Sequence, residues 1–165
     1  MSIQLKPGDL APQFTLFNTE KKEVSLSDYR GKNLVILFFP QSFTGVCTTE
    51  LCAVRDGLSE YQSLNAEVVA ISVDSLFTLG AFREAQHFNF EMLSDFNKEV
   101  CQAYGAYYDT FVFNMHGVAK RAAFVVDAEG IIRYAEVLES AGDIPNFDAV
   151  RGVLQSLNGA AQSGS

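Results

Sequence analysis

The feature that most constrains the fold is an unbroken apolar segment, Leu-Val-Ile-Leu-Phe-Phe at residues 34–39, which Pro40 ends. Six consecutive apolar residues have the length of a strand, and no alternating polar side chain marks a face open to water. A second segment of this kind occupies residues 67–73, and a helix from about Gly45 towards Tyr61 fits between them. Strand, helix and strand in this order predict a right-handed βαβ unit with parallel strands.

The remaining pattern predicts how the rest of the chain surrounds that unit. The other predicted elements are a helix capped by Asp74 or Ser75 that runs to His87, a hairpin over residues 122–137 that turns at residues 128–130, and a closing helix from about Pro145 to Gly159. Together they predict an α/β, thioredoxin-like fold, in which a central mixed sheet is flanked by helices. We expect one domain over residues 1–158 and a flexible tail at residues 159–165.

Composition excludes several classes of function. Of 165 residues, 48% are hydrophobic, enough for one well-buried core without disulfide staples. The net charge is −8 and the twelve Lys and Arg residues are scattered, which argues against nucleic acid or an anionic membrane as partner. No stretch approaches the roughly 18 apolar residues of a membrane span, and residues 1–8 lack the pattern of a secretion signal. We therefore expect a cytoplasmic protein.

The three cysteines point towards redox chemistry, because two of them lie only five positions apart. If Thr44 is the N-cap of the first helix, Cys47 is its third residue. The positive end of the helix dipole and the unpaired N–H groups then favour thiolate over thiol. Considered alone, a cysteine in an apolar-rich α/β chain is more often a small buried hydrophobe than a catalytic residue. Pro40 can cover the sulfur without offering a competing donor, and Thr44 adds a hydroxyl one turn away, so together they favour a nucleophile.

Cys52 is the second cysteine of this helix. Residues five apart in an intact helix have Cα atoms roughly 8–9 Å apart. A disulfide requires about 4.4–6.8 Å, so Cys47 and Cys52 can pair only if the first turns unwind. The alternative is that they are two unrelated helix cysteines, one reactive and one buried.

The pattern Pro40-x-x-x-Thr44-x-x-Cys47 resembles the active-site signature of the peroxiredoxins. The resemblance covers nearly the whole chain, about residues 3–158. Residues 7–16 resemble the family's opening hairpin, and further similar segments are residues 24–32, 94–95, 104–105 and 121–127. The loop before Cys47 is most similar to the alkyl hydroperoxide reductase E type. The second cysteine at Cys52 is instead similar to that of the bacterioferritin comigratory protein type.

This resemblance implies a role for each matching residue. Cys47 would be the peroxidatic nucleophile, Thr44 the hydroxyl that binds a peroxide oxygen, and Pro40 the shield of the sulfur. Arg121 would hold the thiolate and the peroxide from a strand across the pocket, although on the sequence alone it would be an ordinary surface arginine. Glu50 matches a carboxylate that orients this arginine in relatives, but a solvated helix glutamate is an alternative.

The resemblance also implies a reaction and its partners. Hydrogen peroxide or an organic hydroperoxide would oxidise Cys47 to sulfenic acid, Cys52 would resolve it, and a thioredoxin-like or other dithiol reductant would restore both thiols. No cofactor or metal is expected, since the spacing of the cysteines with His87 and His116 matches no paired-ligand pattern. A homodimer is expected. The chain lacks the C-terminal resolving cysteine of typical two-cysteine relatives, and Cys101 is predicted to be a packed helix residue.

Two other functions remain open at this point. A thioredoxin-fold module that senses redox state or binds a partner would need the reactive thiolate but little peroxidase turnover. Pro40, Thr44 and Arg121 argue against it, because a sensor needs only the thiolate. A disulfide oxidoreductase would need Cys-x-x-Cys, which the spacing of Cys47 and Cys52 does not provide.

Overall fold

The computed structural model describes residues 5–140 and 142–163, and for residues 159–163 it describes the backbone alone. The strands are β1 (Thr15–Asn18), β2 (Glu23–Ser25), β3 (Asn33–Phe38), β4 (Ala66–Ser72), β5 (Glu91–Ser94), β6 (Tyr107–Phe111), β7 (Met115–Ala119), β8 (Ala122–Val126) and β9 (Ile132–Val137). The α-helices are α1 (Gly45–Asp56), α2 (Leu58–Ser63), α3 (Leu76–Gln86), α4 (Glu99–Ala103) and α5 (Phe147–Ser163), with 3-10 turns at Leu26–Tyr29 and Val112–Asn114.

Seven strands form one mixed sheet in the order β2-β1-β5-β4-β3-β8-β9. β3 lies inside it, parallel to β4 and antiparallel to β8. β8 and β9 form the predicted antiparallel hairpin, whereas β6 and β7 form a separate hairpin that the sequence did not predict. The predicted α/β class is confirmed. In the described part of the chain, no helix combines the length and apolarity that a membrane crossing requires.

β3 is buried on both faces, as its unbroken apolar sequence requires. Successive side chains of a strand point to opposite sides of the sheet. Val35, Leu37 and Phe39 therefore enter one apolar cluster, which also contains residues of α1, α3 and α5. Leu34, Ile36 and Phe38 enter a second cluster on the other face. These two layers fix the position at which β3 ends and the following loop begins.

Three sequence expectations about element boundaries are wrong. The helix predicted to run from Gly45 towards Tyr61 is broken at Gly57, whose N–H caps the end of α1 by bonding the Ala53 carbonyl at 3.1 Å. Residues 7–14 form no hairpin and make one isolated bridge to the β8–β9 turn; the N-terminal hairpin is β1 with β2. α5 continues past Gly159 to Ser163, because one interior glycine costs a helix only about 1 kcal/mol. The flexibility of residues 159–165 stays a prediction.

Candidate active site

The site begins where β3 passes into α1. The Phe39 N–H still bonds the carbonyl of Ile71 at 3.1 Å, and the next residue, Pro40, is buried and has no N–H to continue the ladder. Thr44 has an extended backbone, φ −90° and ψ 154°, and α1 starts directly after it. Thr44 is thus the N-cap, and Cys47 is the third residue of α1. Its sulfur lies in the first turn, where backbone N–H groups have no helical partner.

One carboxylate anchors the loop between β3 and α1. Oδ2 of Asp74, just after β4, accepts hydrogen bonds from the Ser42 N–H and hydroxyl, both at 2.8 Å, and from the Ser72 hydroxyl at 2.7 Å. Phe43, which follows Ser42 in the loop, has a φ of +66°, a conformation that is costly for a residue with a Cβ. Its ring contacts Phe82 with centroids 4.9 Å apart. The anchor and this contact hold the loop against that strain.

Cys47 and Arg121 meet in the interior. Each is 1% exposed, and Nη2 of Arg121 donates a hydrogen bond to Cys47 Sγ at 3.1 Å. Arg121 directly precedes β8, which is paired with β3, so the sheet brings the guanidinium to the first turn of α1. A permanent positive charge next to a sulfur stabilises the thiolate. Arg121 is therefore no surface arginine.

Glu50 lies on the other side of the same guanidinium. Its side chain is fully buried, and its Oε1 accepts a hydrogen bond from Nη1 of Arg121 at 2.6 Å. Within the described residues, Oε2 of Glu50 has no hydrogen-bond partner. Burial raises the pKa of Glu50 to about 7, although the charge and hydrogen bond of Arg121 act in the opposite direction. The alternative of a solvated helix glutamate is wrong.

The Thr44 side chain is exposed, and its hydroxyl donates to the carbonyl of Gln41 at 2.9 Å. Thr44 and Cys47 are three residues apart, so their side chains lie on the same face of the helix start. The hydroxyl proton is used within the loop, and the oxygen lone pairs remain available as acceptors. The Gln41 side chain in turn donates to Met115 Sδ at 3.1 Å, which links the loop to the β6–β7 hairpin.

Cys52 is half-buried two-thirds of the way along α1, and its thiol donates to Gln86 Oε1 at 3.5 Å. α1 is continuous from Gly45 to Asp56, and both of its cysteines are free thiols. The helix is clamped near Cys52 by two contacts that the sequence did not predict. Nη1 of Arg55 donates to the Gln86 carbonyl at 2.6 Å, and the Asn89 amide donates to the Arg55 carbonyl at 3.2 Å.

Cys101 lies apart from these residues. It is fully buried in α4, in the apolar cluster on the opposite face of the sheet from Cys47. Burial, with a smaller contribution from the nearby Asp95 carboxylate, raises the pKa of the Cys101 thiol. It is a packed helix cysteine, as predicted. Across residues 5–140 and 142–163, no group of three or more His, Cys, Asp and Glu side chains is placed to hold a metal ion.

Sequence reasoning missed the anchor at Asp74, which was considered only as a helix cap; the cap of α3 is Ser75, whose hydroxyl accepts from the Thr78 N–H. The order of the predicted strands nevertheless contains a signal for this anchor. The carboxyl ends of parallel neighbouring strands meet at one edge of a sheet, so residues after β3 and after β4 must meet there. Ser42 and Asp74 occupy those two positions.

Known proteins are similar to this chain in both sequence and fold. The model of the AhpC/TSA family matches residues 7–135. Peroxiredoxin Bcp of Escherichia coli K12 is 33% identical over 131 residues, 79% of this chain and 84% of that protein. Alkyl hydroperoxide reductase E of Mycobacterium bovis is 43% identical over 137 residues, 81% of this chain and 86% of that protein. The crystal structure of peroxidoxin BcpB from Mycobacterium tuberculosis superposes with a TM-score of 0.83 at 26% identity, covering 93% of this chain and 99% of that one.

Proposed function

This chain belongs to the AhpC/TSA family and is a peroxiredoxin, a thiol-dependent peroxidase, and on that premise we propose that Cys47 is the cysteine that peroxide oxidises. The observation that carries the proposal is the buried hydrogen bond from Arg121 to Cys47 Sγ at 3.1 Å. Of the three cysteines, Cys47 alone combines a place in the first turn of a helix with a guanidinium on its sulfur.

The geometry supports the following oxidation step. The Cys47 thiolate attacks one oxygen of the peroxide, a sulfur–oxygen bond forms, and the O–O bond breaks. The bonding electrons leave with the second oxygen, which takes up a proton and departs as water or an alcohol. Cys47 is left as sulfenic acid. Arg121 stabilises the thiolate before the attack and the negative charge that develops on the departing oxygen.

Thr44 and Pro40 orient and protect the reacting atoms in this proposal. The Thr44 hydroxyl already donates to the Gln41 carbonyl, so it acts as an acceptor for the O–H of the incoming peroxide. That bond turns the O–O axis into line with Sγ of Cys47. Pro40 is buried at the end of the strand, where its ring excludes water without offering a donor that would compete for the thiolate.

Cys52 is proposed to resolve the sulfenic acid. Its thiol condenses with Cys47–SOH, a disulfide forms, and water leaves. Cys52 lies in the same helix and packs against the same apolar cluster as Cys47, which favours it over Cys101 on the far face of the sheet. The reaction requires the first turns of α1 to unwind, because the intact helix holds the two Cα atoms roughly 8–9 Å apart.

A thioredoxin-like or other dithiol reductant is proposed to close the cycle. Its two thiols exchange with the Cys47–Cys52 disulfide, which returns both cysteines to thiols and leaves the reductant as a disulfide. We extend the proposal to a cytoplasmic location, since three free thiols fit a reducing compartment. Turnover with NADPH, thioredoxin reductase and thioredoxin tests the reductant, and a rate no faster than with a monothiol would exclude thioredoxin.

The β6–β7 hairpin supports a homodimer. Phe113 at its tip is 93% exposed and Val112 is 53% exposed, and Phe43 of the adjacent active-site loop is 54% exposed. Exposed large apolar side chains such as these are typical of contacts between protein copies. Light scattering during size-exclusion chromatography should give a dimer for the wild type and a monomer for Phe113→Asp. A monomeric wild type would exclude the dimer.

Peroxide consumption by cysteine variants tests the central proposal. Cys47→Ser should abolish the reaction with hydrogen peroxide and leave the circular dichroism spectrum unchanged, because a serine hydroxyl is not ionised at neutral pH. Cys101→Ser is the matched control and should react as the wild type does. Residual turnover of Cys47→Ser within about tenfold of wild type would overturn the assignment. A wild type that is oxidised once but does not turn over with any dithiol would instead favour a redox sensor.

A further inference from the structure

Cys47, Arg121 and Glu50 form a buried trio with one permanent positive charge. Arg121 holds Cys47 Sγ with Nη2 at 3.1 Å and Glu50 Oε1 with Nη1 at 2.6 Å, and all three side chains are almost completely excluded from water. The remaining oxygen of Glu50 accepts no hydrogen bond from any described residue. A carboxylate with one bare oxygen in such surroundings is costly, whereas a carboxylic acid is less so.

The charge of this trio depends on the state of Cys47. With a thiolate at Cys47 and a carboxylate at Glu50, two negative charges share one buried guanidinium, and the net charge is −1. A proton on Glu50 makes the trio neutral while the thiolate remains. When Cys47 becomes a sulfenic acid or a disulfide, its negative charge is lost, and an ionised Glu50 then makes a neutral pair with Arg121.

We propose that Glu50 carries the proton that balances the peroxidase reaction, being protonated while Cys47 is a thiolate and ionised once Cys47 is oxidised. This inference deepens the proposed function and rests on Cys47 as the oxidised cysteine. Glu50 acts through the guanidinium that it shares with Cys47, so it is a positioning and proton-holding residue.

The step balances in atoms and charge. Cys47–S⁻, a hydroperoxide ROOH and Glu50–COOH give Cys47–SOH, the alcohol ROH and Glu50–COO⁻, and the total charge is −1 on both sides. Sulfur is oxidised and the peroxide oxygens are reduced. The proton of Glu50 neutralises the alkoxide, or the hydroxide when the substrate is hydrogen peroxide. Reduction of Cys47 back to the thiolate returns a proton to Glu50.

The surroundings of Glu50 support this role. Burial raises its pKa to about 7, against the opposing effect of Arg121, so protonation falls within the physiological range. Among the described residues, Arg121 is the charged group that acts on Glu50 from the β8 side, and Cys47 is the ionisable group that shares its guanidinium from α1. Lys120, which precedes Arg121 in the chain, forms a salt bridge with Glu139 instead, with Nζ and Oε1 2.9 Å apart.

Infrared difference spectroscopy tests the proposal directly. Oxidation of the reduced wild type by one equivalent of hydrogen peroxide near pH 6 should remove a carboxylic-acid carbonyl band and add carboxylate bands. Labelling with [¹³C]glutamate should shift these bands, which assigns them to glutamate in the wild type. Glu50→Gln should lack them, and the control Glu67→Gln, which removes a half-exposed carboxylate paired with Lys32, should retain them.

Proton uptake, followed with a pH indicator in weak buffer, gives a second measurement. Near pH 6, Glu50→Gln should take up about one more proton from solvent per oxidised Cys47 than the wild type, because no internal proton neutralises the leaving group. Near pH 8.5 the difference should vanish, since Glu50 is then ionised in the wild type as well. If Glu50→Gln fails to fold, the infrared spectra of the labelled wild type decide the question.

The outcomes separate this inference from the assignment of Cys47. If the wild type is oxidised at Cys47 but shows no glutamate band and the same proton uptake as Glu50→Gln, the proton role of Glu50 is wrong and the peroxidase assignment stands. If Cys47→Ser still consumes peroxide, the assignment of Cys47 fails first. A glutamate band that persists in Glu50→Gln would give the proton to another residue and also overturn the inference.

Discussion

Arg121 donates a hydrogen bond to the sulfur of Cys47, a residue 74 positions earlier in the chain, with Nη2 and Sγ 3.1 Å apart. The antiparallel pairing of β3 with β8 makes this possible, since it carries the residue before β8 to the end of β3. Arg121 and Cys47 are both inside the protein, where a charge acts more strongly than it does at the surface.

Removal of this guanidinium should slow the oxidation of Cys47. We expect Arg121→Met to lower the second-order rate constant with hydrogen peroxide by about 10²- to 10³-fold, the usual loss for one preorganised donor to a developing charge. Competition kinetics measures that constant. Arg133→Met is the matched control, because Arg133 pairs with Asp127 at the partly exposed β8–β9 turn and should keep the wild-type rate. An Arg121→Met variant as fast as this control would contradict the assigned role.

The burial of Glu50 predicts a particular dependence of stability on pH. Its pKa is about 7 in the folded protein against an ordinary 4.5, so the folded state holds a proton that the unfolded chain releases. The resulting stabilisation is complete below about pH 4.5 and is lost as the pH rises through about 7. We expect the free energy of unfolding, relative to Glu50→Gln, to fall by on the order of 3 kcal/mol across that window.

Urea denaturation of the reduced proteins between about pH 5 and pH 8 measures this difference. The half-exposed Glu67→Gln variant should show no such window. A wild type whose stability rises relative to Glu50→Gln over the same range would mean that Arg121 outweighs burial and keeps Glu50 ionised.

The sequence predicted the elements around the site because their signals are local. The apolar run of β3, the N-cap at Thr44 and the place of Cys47 in the first turn all follow from residues within one short segment. The resemblance to peroxiredoxins, confirmed by the comparisons, added Arg121, which no local pattern distinguishes from its neighbour Lys120.

Other features of the site and the fold could not be predicted from the sequence, because they depend on contacts between residues that are far apart in the chain. The burial of Glu50 follows from the sheet that covers α1, and a glutamate directly after two threonines looks like a solvated helix residue. The clamp between Arg55 and the end of α3 joins residues 31 positions apart. The β6–β7 hairpin is hidden by its 3-10 turn, in which Phe113 has an unfavourable positive φ of 57°.

The environments of two cysteines predict different reactivity towards alkylation. Cys47 has Arg121 on its sulfur, whereas burial raises the pKa of Cys101 in an apolar cluster. Iodoacetamide at neutral pH should therefore modify Cys47 and spare Cys101 in the native protein. Peptide mass analysis at several pH values measures both sites in one sample, and in urea Cys101 should become reactive. Equal native rates at both sites would remove the electrostatic argument for Cys47.

The Asp74 anchor predicts a loss of activity without a loss of fold. Asp74→Ala removes the acceptor of the two hydrogen bonds that hold the loop at Ser42, together with one from Ser72. Since small displacements of reacting groups cost up to about 10²-fold in rate, we expect oxidation of Cys47 to slow by roughly ten- to a hundredfold. Ser42→Ala, which keeps the backbone bond, should lose less. If both variants keep the wild-type rate constant, the loop is held by its other contacts.

The clamp on α1 predicts how fast Cys52 can reach Cys47. Arg55 and Asn89 tie the helix to the end of α3 next to Cys52, and the two thiols cannot meet while the helix is intact. Weakening the clamp should therefore speed disulfide formation and leave less time for a second peroxide to oxidise the sulfenic acid further. We expect Arg55→Ala to show faster amide exchange over residues 45–55, faster formation of the disulfide and less sulfinic acid at Cys47 under excess peroxide.

Intact mass after a timed pulse of peroxide measures both products, since the disulfide lowers the mass by about two hydrogens and the sulfinic acid adds two oxygens. Arg133→Ala, which removes an arginine that pairs with Asp127 at the β8–β9 turn, should match the wild type in both. Cys52→Ser should form no disulfide within the chain and should accumulate sulfinic acid, with or without the clamp. If Arg55→Ala changes neither product, the clamp does not limit the reaction between the two cysteines. If oxidised wild type keeps a free sulfenate, Cys52 is a packing residue. An external thiol must then resolve Cys47, because Cys101 is buried on the opposite face of the sheet.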